Sequence, residues 1–129
     1  MRYLLDTHAL IWMRSGDARL NRSRWEGILA SEENEIFVSV VSFWEIAIKR
    51  SLGKLTIEGN LVKLSRILVH DQGFLLLPME VAHLDRLEKL PNHHRDPFDR
   101  ILIAQAMELG ATAITDDAQW RLYRLKTDW

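Results

Sequence analysis

The sequence predicts an α/β fold: a central, mostly parallel sheet of 4–5 short strands flanked by helices. Two observations carry this. Short apolar runs alternate with longer stretches of helical periodicity, the pattern of a parallel sheet built from strand–helix units. No internal repeat, low-complexity tract or linker interrupts the 129 residues, so a single domain spanning 1–129 is expected.

Residues 2–5 read as a buried strand ending at Asp6. A short helix follows at His8–Met13, with Asp6 or Thr7 near its N-cap and Ser15-Gly16-Asp17 breaking it. Residues 21–31 read as an amphipathic helix with Trp25, Ile28 and Leu29 on one side. Ile36–Val38 is a second strand. Ser39 then opens a helix reaching Lys49 or Arg50, stopped by Gly53. Residues 60–70 space Leu61, Leu64, Ile67 and Leu68 helically. Phe74–Leu77 is a third strand ended by Pro78, and residues 80–90 form a helix carrying Val81, Leu84 and Leu87. After a loop at 91–95, Pro97 suits the first turn of a buried helix that runs to Leu109 and ends at Gly110. Thr112–Thr115 is a fourth strand, and 125–128 a short last one.

Composition excludes several classes. The chain has no cysteine, so there is no disulfide framework and no thiolate metal site. A reducing cytoplasmic setting is expected. No apolar run approaches the ~20 residues of a membrane span, and the apolar start is too short for a signal peptide. There is no Gly-rich phosphate loop and no Gly-x-Ser-x-Gly elbow. His93-His94 is a poor metal pair, since adjacent side chains diverge, and His8 and His83 stand alone.

What remains is acidic. Asp6, Glu45, Asp96, Asp99, Asp116 and Asp117 each stand beside an apolar run. A carboxylate at the edge of a buried segment is costly unless something pairs with it. Each has an ordinary structural explanation: Asp6 as a helix cap, Glu45 as an i,i+4 partner of Lys49, Asp99 as a first-turn acid facing the helix dipole, Asp96 as an N-cap, Asp116 and Asp117 as turn and cap. Converging in space, they would share a divalent cation, which points to phosphodiester chemistry. In parallel sheets ligands bind beyond the carboxyl ends of the strands, where Asp6 and Asp116/Asp117 fall. Setting these six aside leaves twelve acids against 17 Lys plus Arg. A polyanion would be drawn to that rim, although composition alone favours ordinary mixed surface charge.

Four segments together resemble a known family. Leu4-Leu5-Asp6-Thr7-His8-Ala9-Leu10-Ile11-Trp12 is similar to the opening of PIN-domain proteins of the VapC toxin type. Ser39-x5-Glu45 resembles their second acidic motif, His94–Ala106 their third in one subgroup, and Thr115-Asp116-Asp117 their fourth. The order and spacing match over essentially the whole chain. The resemblance implies a three-layer PIN-like fold and a Mg2+- or Mn2+-dependent endoribonuclease, the toxin half of a toxin–antitoxin pair. It makes Asp6, Glu45, Asp99 and Asp117 the catalytic, metal-binding acids. Asp99 is preferred to Asp96 because it stands eleven residues before Gly110. Asp96 and Asp116 become auxiliary acids. Thr7, Ser42 and Thr115 are expected to hydrogen-bond the carboxylates or the metal's waters. Arg95, Arg100, His93 and His94 are expected to contact RNA. The implied partners are RNA, a cognate antitoxin and a second copy in a homodimer, with no membrane. For the homodimer, exposed Trp12, Trp25 and the Leu-rich stretch at 60–90 are the expected surface.

Other readings are weaker. A phosphoacceptor receiver domain needs an acidic pair at the first strand, and a haloacid-dehalogenase-type phosphatase needs Asp-x-Asp, where this chain has Asp6-Thr7-His8. A non-catalytic binding module would have no reason to keep the acids clustered.

Overall fold

A computed structural model describes residues 1–129. Five strands form one sheet: β1 (Arg2–Leu5), β2 (Glu35–Ser39), β3 (Leu75–Leu77), β4 (Thr112–Ile114) and β5 (Thr127–Asp128). Their order is β3-β2-β1-β4-β5, and every pairing is parallel. The helices are α1 (Thr7–Ser15), α2 (Arg22–Ala30), α3 (Val40–Ser51), α4 (Leu61–Arg66), α5 (Val81–Glu88) and α6 (Pro97–Leu109). The expected three-layer α/β fold is the observed one.

Capping side chains fix most helix starts. Asp6 accepts from the Ala9 N–H, Asn21 from Arg24, Ser39 from Val41, Asn60 from Lys63, and Asp96 from Phe98 and Asp99. Pro97 occupies the first turn of α6, where its missing N–H costs nothing. Gly110 ends that helix in the left-handed conformation, φ 66°, which carries little steric penalty in glycine.

The core lies on both faces of the sheet. Leu5, Leu10, Trp25, Ile46, Leu68 and Phe74 belong to the larger cluster. Ile101, Leu102, Ile103 and Trp120 belong to the cluster around α6. Gln105, the polar exception in α6, is fully buried. Its Oε1 accepts from Ser39 Oγ at 2.5 Å, and its Nε2 donates to the Pro78 carbonyl. That satisfies both ends of the amide and ties α6 to the end of β2.

Three expectations are corrected. Trp25 is core, not exposed: it is 5% accessible and meets Phe74 edge-on at 6.1 Å. Leu29, expected beside it, is exposed, because α2 is too short and too peripheral to bury a wide stripe. The helix expected at 60–70 is split. Its second half, Ile67–Asp71, has π-helical bonding, and this turn brings Leu68 into the core.

Candidate metal centre

The sheet's order sets the site. The chain leaves β1 toward β2 and β3 on one side, while β4 and β5 lie on the other. The crevice between the carboxyl ends of β1 and β4 is the topological switch point. Asp6 and Thr115 follow those two strands directly. The Asp6 N–H donates to the Ile114 carbonyl at 3.1 Å, continuing the ladder. The Asp6 side chain is 2% exposed. Oδ1 accepts from Ala9 N at 2.6 Å, and Oδ2 from the Thr115 hydroxyl at 2.5 Å. Burial pushes its carboxyl up to about 6, against the lowering by the Thr115 and Ala9 hydrogen bonds.

Asp99 reaches the same crevice by another route. Helix α6 precedes β4, and a helix between parallel strands runs back against them. Its N-terminus therefore lies at the carboxyl edge of the sheet. Burial first, then the charges of Asp96, Glu45, Asp6 and Asp117 in that order, push the Asp99 carboxyl up to about 8. Four other carboxylates thus bear on this one group.

Glu45 arrives from α3, whose start is pinned by Ser39 at the end of β2. It is 2% exposed. Oε2 accepts from Lys49 Nζ at 2.5 Å, and the buried Oε1 has no partner. Burial opposes the charge on Lys49, but the hydrogen bond to Glu45 prevails and holds its ammonium above the ordinary lysine range.

Asp117 completes the set. Oδ1 accepts from Gln119 N at 2.9 Å, capping a 3-10 turn at Ala118–Leu122. Oδ2 accepts from His94 Nε2 at 2.8 Å, and the same nitrogen lies 3.2 Å from Asp99 Oδ2. One ligand atom from each of His94, Asp99 and Asp117 falls within 4.8 Å of the others.

The remaining expected residues divide. Thr115 does bond a carboxylate, and it also accepts from Asp117 N. Thr7 and Ser42 do not: Thr7 Oγ1 donates to Ser42 Oγ at 3.0 Å, so the two hydroxyls satisfy each other and stitch α1 to α3. Asp96 is the N-cap of α6, and its charge reaches Asp99 through space. Asp116 is exposed and joins none of the site's hydrogen bonds. Arg100 does not face the rim. Its guanidinium donates to the carbonyls of Pro91, Leu87 and Leu90, at and just beyond the end of α5, and to the Tyr123 hydroxyl. Arg95 and His93 are exposed, and with Asn92, His94, Asp96 and Gln119 they line a cavity of about 600 Å3 beside the carboxylates. His93 turns away to pack edge-on against Tyr123 at 5.0 Å. His94 turns inward and is 8% exposed.

Sequence reasoning missed His94's place among the acids, having put it on the rim. Nothing in the spacing reveals that Tyr123 holds this loop, its hydroxyl accepting from His94 N at 2.9 Å. Lys49 was visible from its i,i+4 spacing, yet as an alternative to the site and not as part of it. The largest cavity, about 890 Å3, lies elsewhere. Arg2, Arg86, Arg124 and Lys126 line it and none of these carboxylates does, so chemistry and not volume locates the centre.

Carboxylate oxygens in this number suit a hard divalent cation. The orphaned Glu45 Oε1 is the direct sign of fit, since a buried oxygen without a donor is costly and a cation would relieve it.

The family model for the PIN domain matches residues 3–126. The chain belongs to the PIN-domain family. Among characterised proteins, no sequence matches it significantly. Similar solved structures place its PIN fold beside toxin–antitoxin complexes. VapBC2 from Rickettsia felis, bound to a DNA fragment from the promoter, matches with a TM-score of 0.73 at 17% identity, over 99% of this chain and 98% of that one. VapBC-1 from nontypeable Haemophilus influenzae matches at 0.69 and 18%, over 99% and 97%. A toxin–antitoxin complex from Klebsiella pneumoniae matches at 0.63 and 17%, over 98% and 96%.

Proposed function

We propose that this PIN-domain chain is a VapC-type toxin, a Mg2+- or Mn2+-dependent endoribonuclease held in check by a cognate antitoxin. The observation that carries the reading is the crowding of Asp6, Glu45, Asp96 and Asp117 around a buried Asp99. Such crowding is unfavourable in a bare protein and favourable around a cation.

Asp6, Glu45, Asp99 and Asp117 would hold the ion. Bound there, a divalent cation would polarise the scissile phosphate and acidify an attacking water. The protein's own part is positioning. Thr115 fixes Asp6, and Asp117 is fixed by its cap and by His94. Arg95, exposed beside the site, would meet a neighbouring phosphate. A single strand or loop, with its bases splayed, fits an open rim better than a duplex. Cleavage by water leaves a 5'-phosphate and a 3'-hydroxyl and needs no 2'-OH nucleophile.

Partners follow from charge and surface. An antitoxin Arg or Lys extended into the acidic crevice would pair with the carboxylates and displace the ion. A second copy of the chain would cover the apolar edge at β3 and α5, where Leu75, Leu76, Met79, Val81 and Leu84 are all exposed. Trp25 takes no part, and half-buried Trp12 packs against Trp129 and under Arg19. No helix is long and apolar enough to cross a membrane.

Cleavage of a mixed RNA pool with Mg2+, Mn2+ or excess EDTA tests the reading, with Asp6→Asn as control. Metal-dependent cleavage lost in the variant is expected, and undiminished cleavage in EDTA would overturn it. Light scattering at micromolar concentration tests the homodimer, and the mass of one chain would count against it.

A further inference from the structure

His94 brings a ring nitrogen in among Asp99 and Asp117, and its spacing to them would suit a mixed nitrogen–oxygen metal site. The other side of the ring argues against that. Nδ1 lies 3.1 Å from the Asp96 backbone N–H. A backbone N–H only donates, so Nδ1 must present its lone pair. The ring proton is then on Nε2, aimed at Asp117 Oδ2 at 2.8 Å and Asp99 Oδ2 at 3.2 Å. Turning the ring over would set carbon against all three groups. The ring is buried, and its backbone is anchored by Tyr123, whose hydroxyl also accepts from Arg100. A neutral ring that accepts at Nδ1 carries its proton on Nε2 and has no lone pair to present there.

We infer that His94 is a positioning residue: its Nε2–H draws the Asp99 and Asp117 carboxylates together, and it does not ligate the ion. This rests on the metal-centre reading above. The protein's donors to the ion are then oxygens alone. The backbone bond from Asp96 fixes the tautomer, as the partner of one ring nitrogen sets the role of the other. An all-oxygen donor set favours Mg2+ and Mn2+, whereas an added imidazole would shift preference toward Zn2+.

The test uses the full chain. In Mn2+-loaded protein, pulsed electron paramagnetic resonance should show no directly bound 14N. Two-bond 1H–15N spectra of the unmutated protein should place the His94 proton on Nε2, both without metal and saturated with Mg2+. His94→Leu should weaken Mn2+ binding by roughly 10–100-fold, the usual range for groups that orient ligands. His94→Gln, which can still offer an N–H there, should stay much nearer the parent. Directly bound 14N, a proton on Nδ1, or unchanged affinity in His94→Leu would each overturn the inference while leaving the metal centre standing. Absence of Mn2+ binding in the parent would instead remove the metal-centre reading, and this inference with it. If His94→Leu fails to fold, the two spectroscopic measurements on the unmutated chain decide the matter.

Discussion

Asp99→Asn should make the metal-free protein more stable and unable to gain stability from metal. The Asp99 carboxyl is lifted from 3.8 to about 8 by burial and by the carboxylates around it. At about 1.4 kcal/mol per pH unit, this lift destabilises the fold by ~6 kcal/mol once the group is ionised, and by roughly 4 at pH 7. The sign follows from proton counting. The folded state holds the Asp99 proton where the unfolded chain has lost it, so this group makes stability fall as pH rises from about 4 to about 8. Asp6, lifted to about 6, acts the same way over the lower part of that window. Between pH 6 and 8 the slope therefore belongs mainly to Asp99. The parent should lose roughly 3 kcal/mol across those two pH units, on the order of 10 °C in melting temperature for a domain of this size. Asp99→Asn cannot ionise, so its curve should be much flatter there and lie above the parent's at pH 8. Saturating Mg2+ or Mn2+ should raise the parent's melting temperature and leave the variant's in place. Thermal unfolding by circular dichroism at pH 6, 7 and 8, with and without metal, reads all of this. Parallel parent and variant curves, or equal stabilisation of both by metal, would refute the reasoning.

Three further outcomes are expected. Lys49→Met removes the cation that pairs with Glu45 at 2.5 Å. Isothermal titration should find tighter Mn2+ binding, and the metal-free chain should melt lower. Arg95→Ala should weaken binding of uncleaved RNA and reduce its salt slope by roughly one phosphate contact, with metal affinity unchanged; an identical salt slope in parent and variant would return Arg95 to solvent. Trp25→Ala, on a side chain 5% exposed against Phe74, should cost ~3–5 kcal/mol in urea unfolding. A loss under 1 kcal/mol would place Trp25 at an interface and not in the core.

Strand positions, helix starts and the parallel sheet were legible because they follow from local rules. An apolar run such as Tyr3–Leu5 calls for burial, and Asp96-Pro97 with Gly110 brackets a helix by backbone chemistry alone. Asp6, Glu45, Asp99 and Asp117 were legible as acids placed against apolar sequence. What escaped was set by contacts distant in sequence. Trp25 is buried because Phe74 comes back across the same face. His94 turns inward because Tyr123, 29 residues on, fixes the loop from behind. Arg100 was read by its place after Asp99, but carbonyls at and beyond the end of α5 hold its guanidinium. No spacing rule reports any of these.

Helix capping and metal binding, weighed as alternatives for Asp6 and Asp117 in the sequence, use different oxygens of the same carboxylate. Asp6 uses Oδ1 to cap α1 and turns Oδ2 to the Thr115 hydroxyl at the site. Asp117 caps with Oδ1 and faces His94 with Oδ2. Glu45 pairs through Oε2 and leaves Oε1 unpartnered. One oxygen serves the fold, and on the proposed reading the other would serve the metal. The division is testable at Asp6. Asparagine keeps an oxygen for the Ala9 N–H, and its amide can donate to the Thr115 hydroxyl, which accepts as readily as it donates. Alanine keeps neither. Both variants remove a buried charge, so the burial term cancels between them and the cap remains. Asp6→Ala should therefore unfold ~1 kcal/mol more easily than Asp6→Asn in urea at pH 8, although both lose metal binding. Equal stability of the two would mean that Asp6 does not cap α1 and that its carboxylate belongs to the metal centre alone.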